Sequence, residues 1–468
     1  GLLMIRLSAK EIAEVIAARV IGDDSVIVES SVETDSRLCK AGSLFVAKPG
    51  EVTDGHLFVS NAIHNGASVA IVEHEVSEPI TQLVVEDSVL ALGKLAKYVV
   101  ERVRSKGSLQ VVAITGSNGK TTTKNMLREI LSKHGSTIAP IESYNNEVGA
   151  PYSMLGVTEE TRYLVLEYGA GGLGSIAYLV GLCKPDIAIE LKVGMAHAGE
   201  FGGIEQTEKI KAELVTDLDA ESIAILNADD ARVANMKNQT KAQVIEFGTA
   251  SGLDYWARDI QLSIQGTSFV FHTKSESHPV QLKILGEHHV YNALAALSCA
   301  DQLGIDLQSA IQSIEAMKIA EKWRMEIHTR TDGVTVINDA YNASPDSMKA
   351  ALVTLAELGR QTGRPTVAVL GEMAELGEYS AQEHDSIGRL VVRLNLDQLV
   401  VVGKGAKLTH MAASLEGSWD GESKYFDEIS EATEYLRGML KGKEIVLVKS
   451  SKSANLRFLG DDLIEVKP

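Results

Sequence analysis

One stretch constrains the chain more than any other: QVVAITGSNGKTTTKNML, residues 110–127, in which an apolar run feeds a glycine-punctuated turn that opens onto a helical pattern. A strand entering a helix through such a turn points several backbone N–H groups at one spot, where the positive end of the helix dipole also favours an anion. GSNGKTT therefore reads as a phosphate cradle built from Gly116, Ser117, Asn118, Gly119, Lys120, Thr121 and Thr122. Lys120 is placed to reach terminal phosphates and Thr121 to hold magnesium. A tight turn with a surface lysine is the bland alternative, but the pattern GxxGKTT arises by chance in on the order of one chain in a few thousand. The full P-loop pattern has a glycine five residues before Gly119, where this chain has Ile114.

The chain has 468 residues, room for about three domains of ~150 residues each. Up to the SKGS stretch at 105–108, short β-branched runs precede one long helical pattern, giving a small α/β domain over residues 1–107. At its start SAKEIAEVIAARVIG reads as a helix with Ser8 as N-cap, Glu11 completing a capping box and Gly22 beyond the end. Next comes strand–helix alternation (LQVVAIT, RYLVLEY, PDIAIEL, SIAILN), the signature of a mostly parallel sheet of P-loop type over 108–317. Its period-2 segment between Tyr255 and Leu285 predicts an antiparallel extension. A Rossmann-like α/β domain over 318–468 follows, with a hairpin expected at Thr331-Asp332-Gly333. The fold class is thus α/β in three domains.

Composition narrows the partners. A net charge of -18 leaves no broad basic surface for a nucleic-acid backbone. Cys39, Cys183 and Cys299 are odd in number and lack CxxC spacing, which argues against disulfides and zinc and for a reducing, cytoplasmic setting. No apolar run approaches the ~18 residues of a membrane span, and charges at Arg6, Lys10, Glu11 and Glu14 break any signal-peptide core.

The shortened loop TGSNGKTT is similar to that of the ATP-dependent Mur ligases, and segments along all three domains resemble that family in order. In the first, TDSRLCKAGSLFVAKPGEVTDGHLF implies Ser36 and Arg37 at the UDP end of the substrate; Asp54 and His56 belong to the same pattern. By themselves DSR and DGH are polar triplets more often found as caps or turns. YNNEVGAP implies Asn145 and Asn146 near the reacting end of a muramoyl peptide. LVLEYGAGG ends an apolar strand in Glu167, where a doubly wound sheet presents its ligand-binding edge and a carboxylate can complete a magnesium shell. In VGMAHAGEFGGIEQTEKIKAEL the resemblance implies two more metal ligands, His197 and Lys211, the lysine carbamylated. From the residues alone, both would read as a surface histidine and a solvated helix charge.

GEHHVYNALAAL implies that Asn292 contacts adenine, with His289 left open. KWRMEI and INDAYNASPDSM bring Arg324 and Asp339 to the nucleotide, with Tyr341 and Asn342 in the same motif, and VLVKSSKSANL closes the set.

The resemblance implies joining D-alanyl-D-alanine to a UDP-N-acetylmuramoyl tripeptide through an acyl phosphate, with ATP and magnesium, by a monomer. Lys120, Glu167, His197 and Lys211 are the implied catalytic set, and joints near Lys106 and at 317–322 the hinge candidates. A relative that adds the preceding diamino acid is the nearest alternative, but its DNPR-type motif is absent. A P-loop kinase or NTPase explains the loop but leaves YNNEVGAP and DAYNASP without work, and a non-catalytic nucleotide-binding scaffold is disfavoured by the intact Lys120, Thr121 and Glu167.

Overall fold

The computed structural model describes residues 2–194, 202–318 and 322–467; His197 and part of the second hinge candidate lie outside them. Close packing divides the chain into two compact units, Gly1–Ala257 with Phe271–Glu276 and Tyr291–Ile314, and Arg258–Val270 with Ser277–Val290 and Glu315–Pro468. The fold is α/β throughout, and the described strands form four sheets, the smallest an antiparallel pair of Leu7–Ser8 with Ile27–Val28.

The amino-terminal sheet has five strands in the order Arg19–Ile21, Thr81–Val84, Val69–Val72, Leu44–Val46 and Val32–Glu33; only the first pair is antiparallel. Ser8 caps the first helix by accepting the Glu11 N–H at 3.1 Å. The helix stops at Ile16, earlier than the sequence suggested, because Ala17 turns left-handed with φ 54° and Arg19–Ile21 becomes a strand. Nor does Glu11 reach back to form a capping box; its carboxylate turns to Arg102 Nη1 at 3.3 Å. The long helix Ser88–Lys106 starts where Asp87 accepts the N–H groups of Val89 and Leu90 and stops at Gly107, within the expected SKGS boundary.

The central sheet runs, from its inner edge, Ser136–Ile138, Thr161–Glu167, Gln110–Thr115, Ile187–Glu190, Ile223–Asn227 and Gln243–Gly248, all parallel. The strand that leads into the glycine loop therefore lies between two others, and all three end at one edge. Tyr255–Ser263 continues the sheet parallel to its neighbour, with Phe247 facing Tyr255. The period-2 segment was expected to be antiparallel, and this first strand corrects that: alternation reports one covered and one wet face, not the direction of pairing. The strands Gly266–His272 and Ser277–Leu282 follow outward.

In the second unit six strands order as Glu326–Thr329, Thr335–Asn338, Ile445–Lys449, Thr366–Leu370, Gln398–Val402 and Glu422–Phe426. The first pair is the expected hairpin, closed through Gly333 at φ 103°, and the other pairings are parallel. No described helix is long and apolar enough to cross a membrane.

Candidate active site

The glycine loop is held at the strand edge by its own chemistry. A Cβ at Gly119, where φ is 89°, would sit 2.3 Å from Asn292 Oδ1, so only glycine lets the loop pass beneath that side chain. Asn292 is buried and its Oδ1 also receives Thr123 Oγ1 at 3.4 Å. At Gly116 a Cβ would meet Leu191 Cβ at 2.8 Å, which is how the loop packs against the neighbouring strand end. Ser117 donates its N–H to Lys192 O at 2.8 Å, and its Oγ accepts the Gly194 N–H at 2.6 Å. Ser117 therefore laces the loop to the next segment, and the anion-facing donors fall to the residues after it.

Helix Lys120–Leu131 begins at the loop. Lys120 Nζ folds back to Gly116 O at 2.8 Å, and burial lowers its pKa while Glu167 opposes the fall. At the next residue, Thr121 Oγ1 donates to Glu167 Oε1 at 3.0 Å, and Ser143 Oγ donates to the same oxygen at 3.3 Å. The other oxygen, Oε2, stands 2.6 Å from Lys124 Nζ with both side chains buried, an ion pair that lacks hydrogen-bond alignment. Lys124 donates instead to Glu142 O at 2.7 Å, and burial pulls its pKa down against the pull of Glu167. Thr121 and Glu167 thus meet as two oxygen donors beside the loop, a set that suits a hard divalent cation.

Sequence reasoning missed Lys124 and Glu190. Lys124 follows Thr121 by three residues, so helical spacing alone puts it on the face that carries Thr121. Glu190 ends the apolar run IAIE as Glu167 ends YLVLE, the same signal one strand over. Glu167 pairs with Ile114 and Glu190 with Thr115, so the register places the two carboxylates on opposite faces of the sheet.

On the Glu190 side lies Lys211, buried within helix Ile204–Thr216. Burial is the main reason its pKa is pushed down to about 8; the charge of Lys120 adds to the fall and Glu190 resists it. Glu190 is 1% exposed, and burial drives its carboxyl well above the usual range, with Lys211 opposing. A pKa near 8 leaves about a tenth of the Lys211 amine neutral at pH 7, on the order of three hundred times more than for an ordinary lysine. Neutral amine is the form that captures carbon dioxide.

Other expected residues occupy less committed places. Asn145 Nδ2 donates to Ser143 Oγ at 3.4 Å, which brings it to the Glu167 cluster. Asn146 Oδ1 is taken up by the N–H groups of Val148 and Gly149, so its amide oxygen serves the following helix. In the amino-terminal domain Ser36 is buried and accepts from Asn61 Nδ2, whereas Arg37 is exposed and pairs with Asp35 at 2.7 Å. Asp54 caps the turn at Gly55–Phe58 and holds His56 Nδ1 at 2.7 Å, while His56 Nε2 accepts the Glu73 N–H at 2.8 Å. Both ring nitrogens are engaged, so His56 braces the domain.

Within the second unit, Asp339 Oδ2 binds Lys449 Nζ at 2.7 Å and Oδ1 accepts the Met325 N–H at 3.0 Å. The Arg324 guanidinium lies 4.4 Å over the Tyr341 ring, and Lys452 5.5 Å from it. Lys449 also donates to Asn342 O at 3.0 Å, so VLVKSSKSANL and DAYNASP form one cluster. His289 is buried, and burial holds its imidazole well below the usual range.

Three family models match successive stretches: the Mur ligase family catalytic domain over residues 30–105, the Mur ligase middle domain over 114–300 and the Mur ligase glutamate ligase domain over 323–452. A UDP-N-acetylmuramoyl-tripeptide–D-alanyl-D-alanine ligase of Mycobacterium bovis is 38% identical over 501 aligned positions, covering 98% of each chain. The chain belongs to the Mur ligase family. Among solved structures, MurF from Acinetobacter baumannii superposes with a TM-score of 0.85 at 34% identity, covering 98% of this chain and 99% of its own. The MurF ligase of Thermotoga maritima, solved in complex with ADP, does so with a TM-score of 0.76 at 28% identity over 93% and 96%. Ile114, at the position where the longer P-loop pattern has glycine, lies buried inside the strand.

Proposed function

We propose that the chain is the ATP-dependent, ADP-forming ligase that joins D-alanyl-D-alanine to the UDP-N-acetylmuramoyl tripeptide during peptidoglycan precursor synthesis, and so serves cell-wall biogenesis, cell shape and the division cycle. One observation carries the reading: a match along 98% of both chains to an enzyme of that name. The domains divide the work, residues 1–107 taking the UDP end through Ser36 and Arg37, 108–317 the ATP, and 318–468 contributing Arg324 and Asp339 as further nucleotide ligands.

Amide formation from a carboxylate is uphill until the leaving oxygen is improved. The tripeptide's terminal carboxylate attacks the γ-phosphoryl group of ATP, ADP departs, and an acyl phosphate forms. The amine of D-alanyl-D-alanine then attacks the acyl carbon and phosphate leaves. The backbone donors of residues 118–122 and Lys120 cradle the polyphosphate and offset the charge that develops on it. Asn292 takes the adenine, and Asn145 and Asn146 serve the reacting end of the muramoyl peptide. Magnesium, when bound, neutralises phosphate charge; Thr121 and Glu167 would hold one ion, and His197 with carbamylated Lys211 a second. Because an acyl phosphate hydrolyses readily, water has to be excluded before it forms. We place the enzyme in the cytoplasm, because its substrates are a nucleotide-linked precursor and ATP, and take it to act as a monomer.

The test is ADP formation with the UDP-muramoyl tripeptides ending in lysine and in meso-diaminopimelate, each with and without D-alanyl-D-alanine. Dipeptide-dependent ADP release and a new peptide bond are expected with one or both. ADP formed equally without the dipeptide, and no bond, would sink the reading.

A further inference from the structure

Helix Ile204–Thr216 buries Thr207, Ile210, Lys211 and Leu214, the spacing of a single helical face. That helix packs on the strand Ile187–Glu190, whose Ala188 belongs to the same apolar cluster as Ile210 and Leu214. Two residues on, Glu190 continues the face that Ala188 presents. Lys211 and Glu190 therefore lie on one side of the sheet, where each acts on the other's charge although no hydrogen bond or ion pair joins them in the unmodified protein. Glu190 Oε2 is buried without a hydrogen-bond partner among the described residues. Leaving a buried acceptor unmet is unfavourable, so an orphan oxygen on the face that carries a modifiable amine calls for a partner.

We propose that Glu190 is a positioning residue for Lys211, its Oε2 accepting the N–H of the lysine's terminal nitrogen and so turning the group carried by that nitrogen away from the strand. The inference rests on the carbamylated Lys211 of the preceding section and adds to it the residue that orients the carbamate. In the modification, the nitrogen lone pair forms the new C–N bond to carbon dioxide, one C=O electron pair moves onto oxygen, and one N–H proton leaves to water. The remaining N–H is the donor that Glu190 receives, while the two new oxygens face the opposite way. A carboxyl group keeps an acceptor oxygen whether or not it is protonated, so the role does not depend on the charge of Glu190. Glu190→Gln retains a carbonyl acceptor at the same reach, and Glu190→Leu removes it at similar volume.

The full-length wild type, E190Q, E190L and, as background, K211A are titrated with carbon-13 bicarbonate, and the carbamate resonance is followed by NMR alongside KM and kcat for ADP formation. Wild type and E190Q are expected to half-saturate within about threefold of one another, and E190L to need about tenfold more bicarbonate, the equivalent of about 1.4 kcal/mol. Added bicarbonate should restore kcat in E190L with KM for ATP unchanged, which a general loss of structure would not do. The proposal is overturned if E190L, with wild-type near-ultraviolet dichroism, saturates where the wild type does. It is equally overturned if E190Q is as impaired as E190L, which would make charge rather than acceptance the relevant property. A wild type that shows no resonance above the K211A background removes the carbamylated lysine itself, a failure distinct from the other two.

Discussion

Glu167 and Glu190 end neighbouring strands on either side of the loop strand, both almost wholly buried, yet the sheet gives them opposite circumstances. Glu167 is surrounded: Thr121 and Ser143 converge on one oxygen and Lys124 stands against the other. Glu190 keeps an oxygen that nothing meets among the described residues. A parallel sheet edge thus offers two kinds of carboxylate two strands apart, one preorganised by its own chain and one left to be completed by a group that arrives. The register decides which, because a one-residue offset sends the side chains to opposite faces.

Substituting leucine at each position breaks the comparison most sharply. Glu167→Leu leaves Lys124 buried without its counter-ion, which should destabilise the fold by about 3–5 kcal/mol and lower the urea midpoint accordingly. It also removes the acceptor for Thr121, and ADP formation should fall by on the order of a thousandfold. A variant that kept half its activity would show that the preorganised carboxylate is ornamental to the chemistry.

Next in size is Gly119→Ala, which acts on the loop without touching either acid. The added methyl meets Asn292 Oδ1 in a backbone conformation that alanine resists, and the strain should be about 1–3 kcal/mol. If the loop shifts to relieve it, nucleotide affinity by calorimetry should drop about tenfold with the unfolding midpoint only modestly lower.

A third test addresses the Glu190 face through pH. Lys211 is pushed down to about 8, so raising the pH from 7 to 9 increases its neutral fraction from about a tenth to about nine-tenths. The initial rate of carbamate formation at fixed dissolved carbon dioxide, read by NMR, should rise by about tenfold over that window and then level. A continued climb above pH 9 would mean that the amine titrates as an ordinary lysine.

How much of this was legible beforehand depends on where the information resides. The loop strand, its two neighbours and the helix behind them could be read from alternating apolar runs and glycine, because those patterns are local. Glu167 was readable as a strand-end acid, yet the matching acid in IAIE went unremarked, since nothing in one strand says which face its last residue will share with a distant helix. Lys211 was the sharper failure of local reasoning. In EKIKAE a lysine looks solvated, and only packing of that helix on the sheet buries it; the family resemblance, not the residue's own surroundings, singled it out. Ser117 and Asn146 were placed in the ligand-binding set, and nothing in the sequence could reveal that Gly194, Val148 and Gly149 already occupy their side-chain oxygens.

The smallest effect expected is also the one with the unusual sign. Glu190→Leu replaces a buried carboxyl, with one oxygen unmet, by an apolar side chain of similar size. Removing a buried polar group together with its desolvation penalty is commonly neutral or stabilising, and a gain of about 1 kcal/mol is reasonable here. In the absence of bicarbonate and nucleotide the variant should therefore melt at or slightly above the wild type, while Glu167→Leu melts well below it. Saturating bicarbonate should then close the gap from the wild-type side, because only there does the added carbamate give the orphan oxygen its donor. If Glu190→Leu instead destabilises by several kcal/mol without bicarbonate, the carboxyl already has a partner within the fold, and the contrast between the two strand ends disappears.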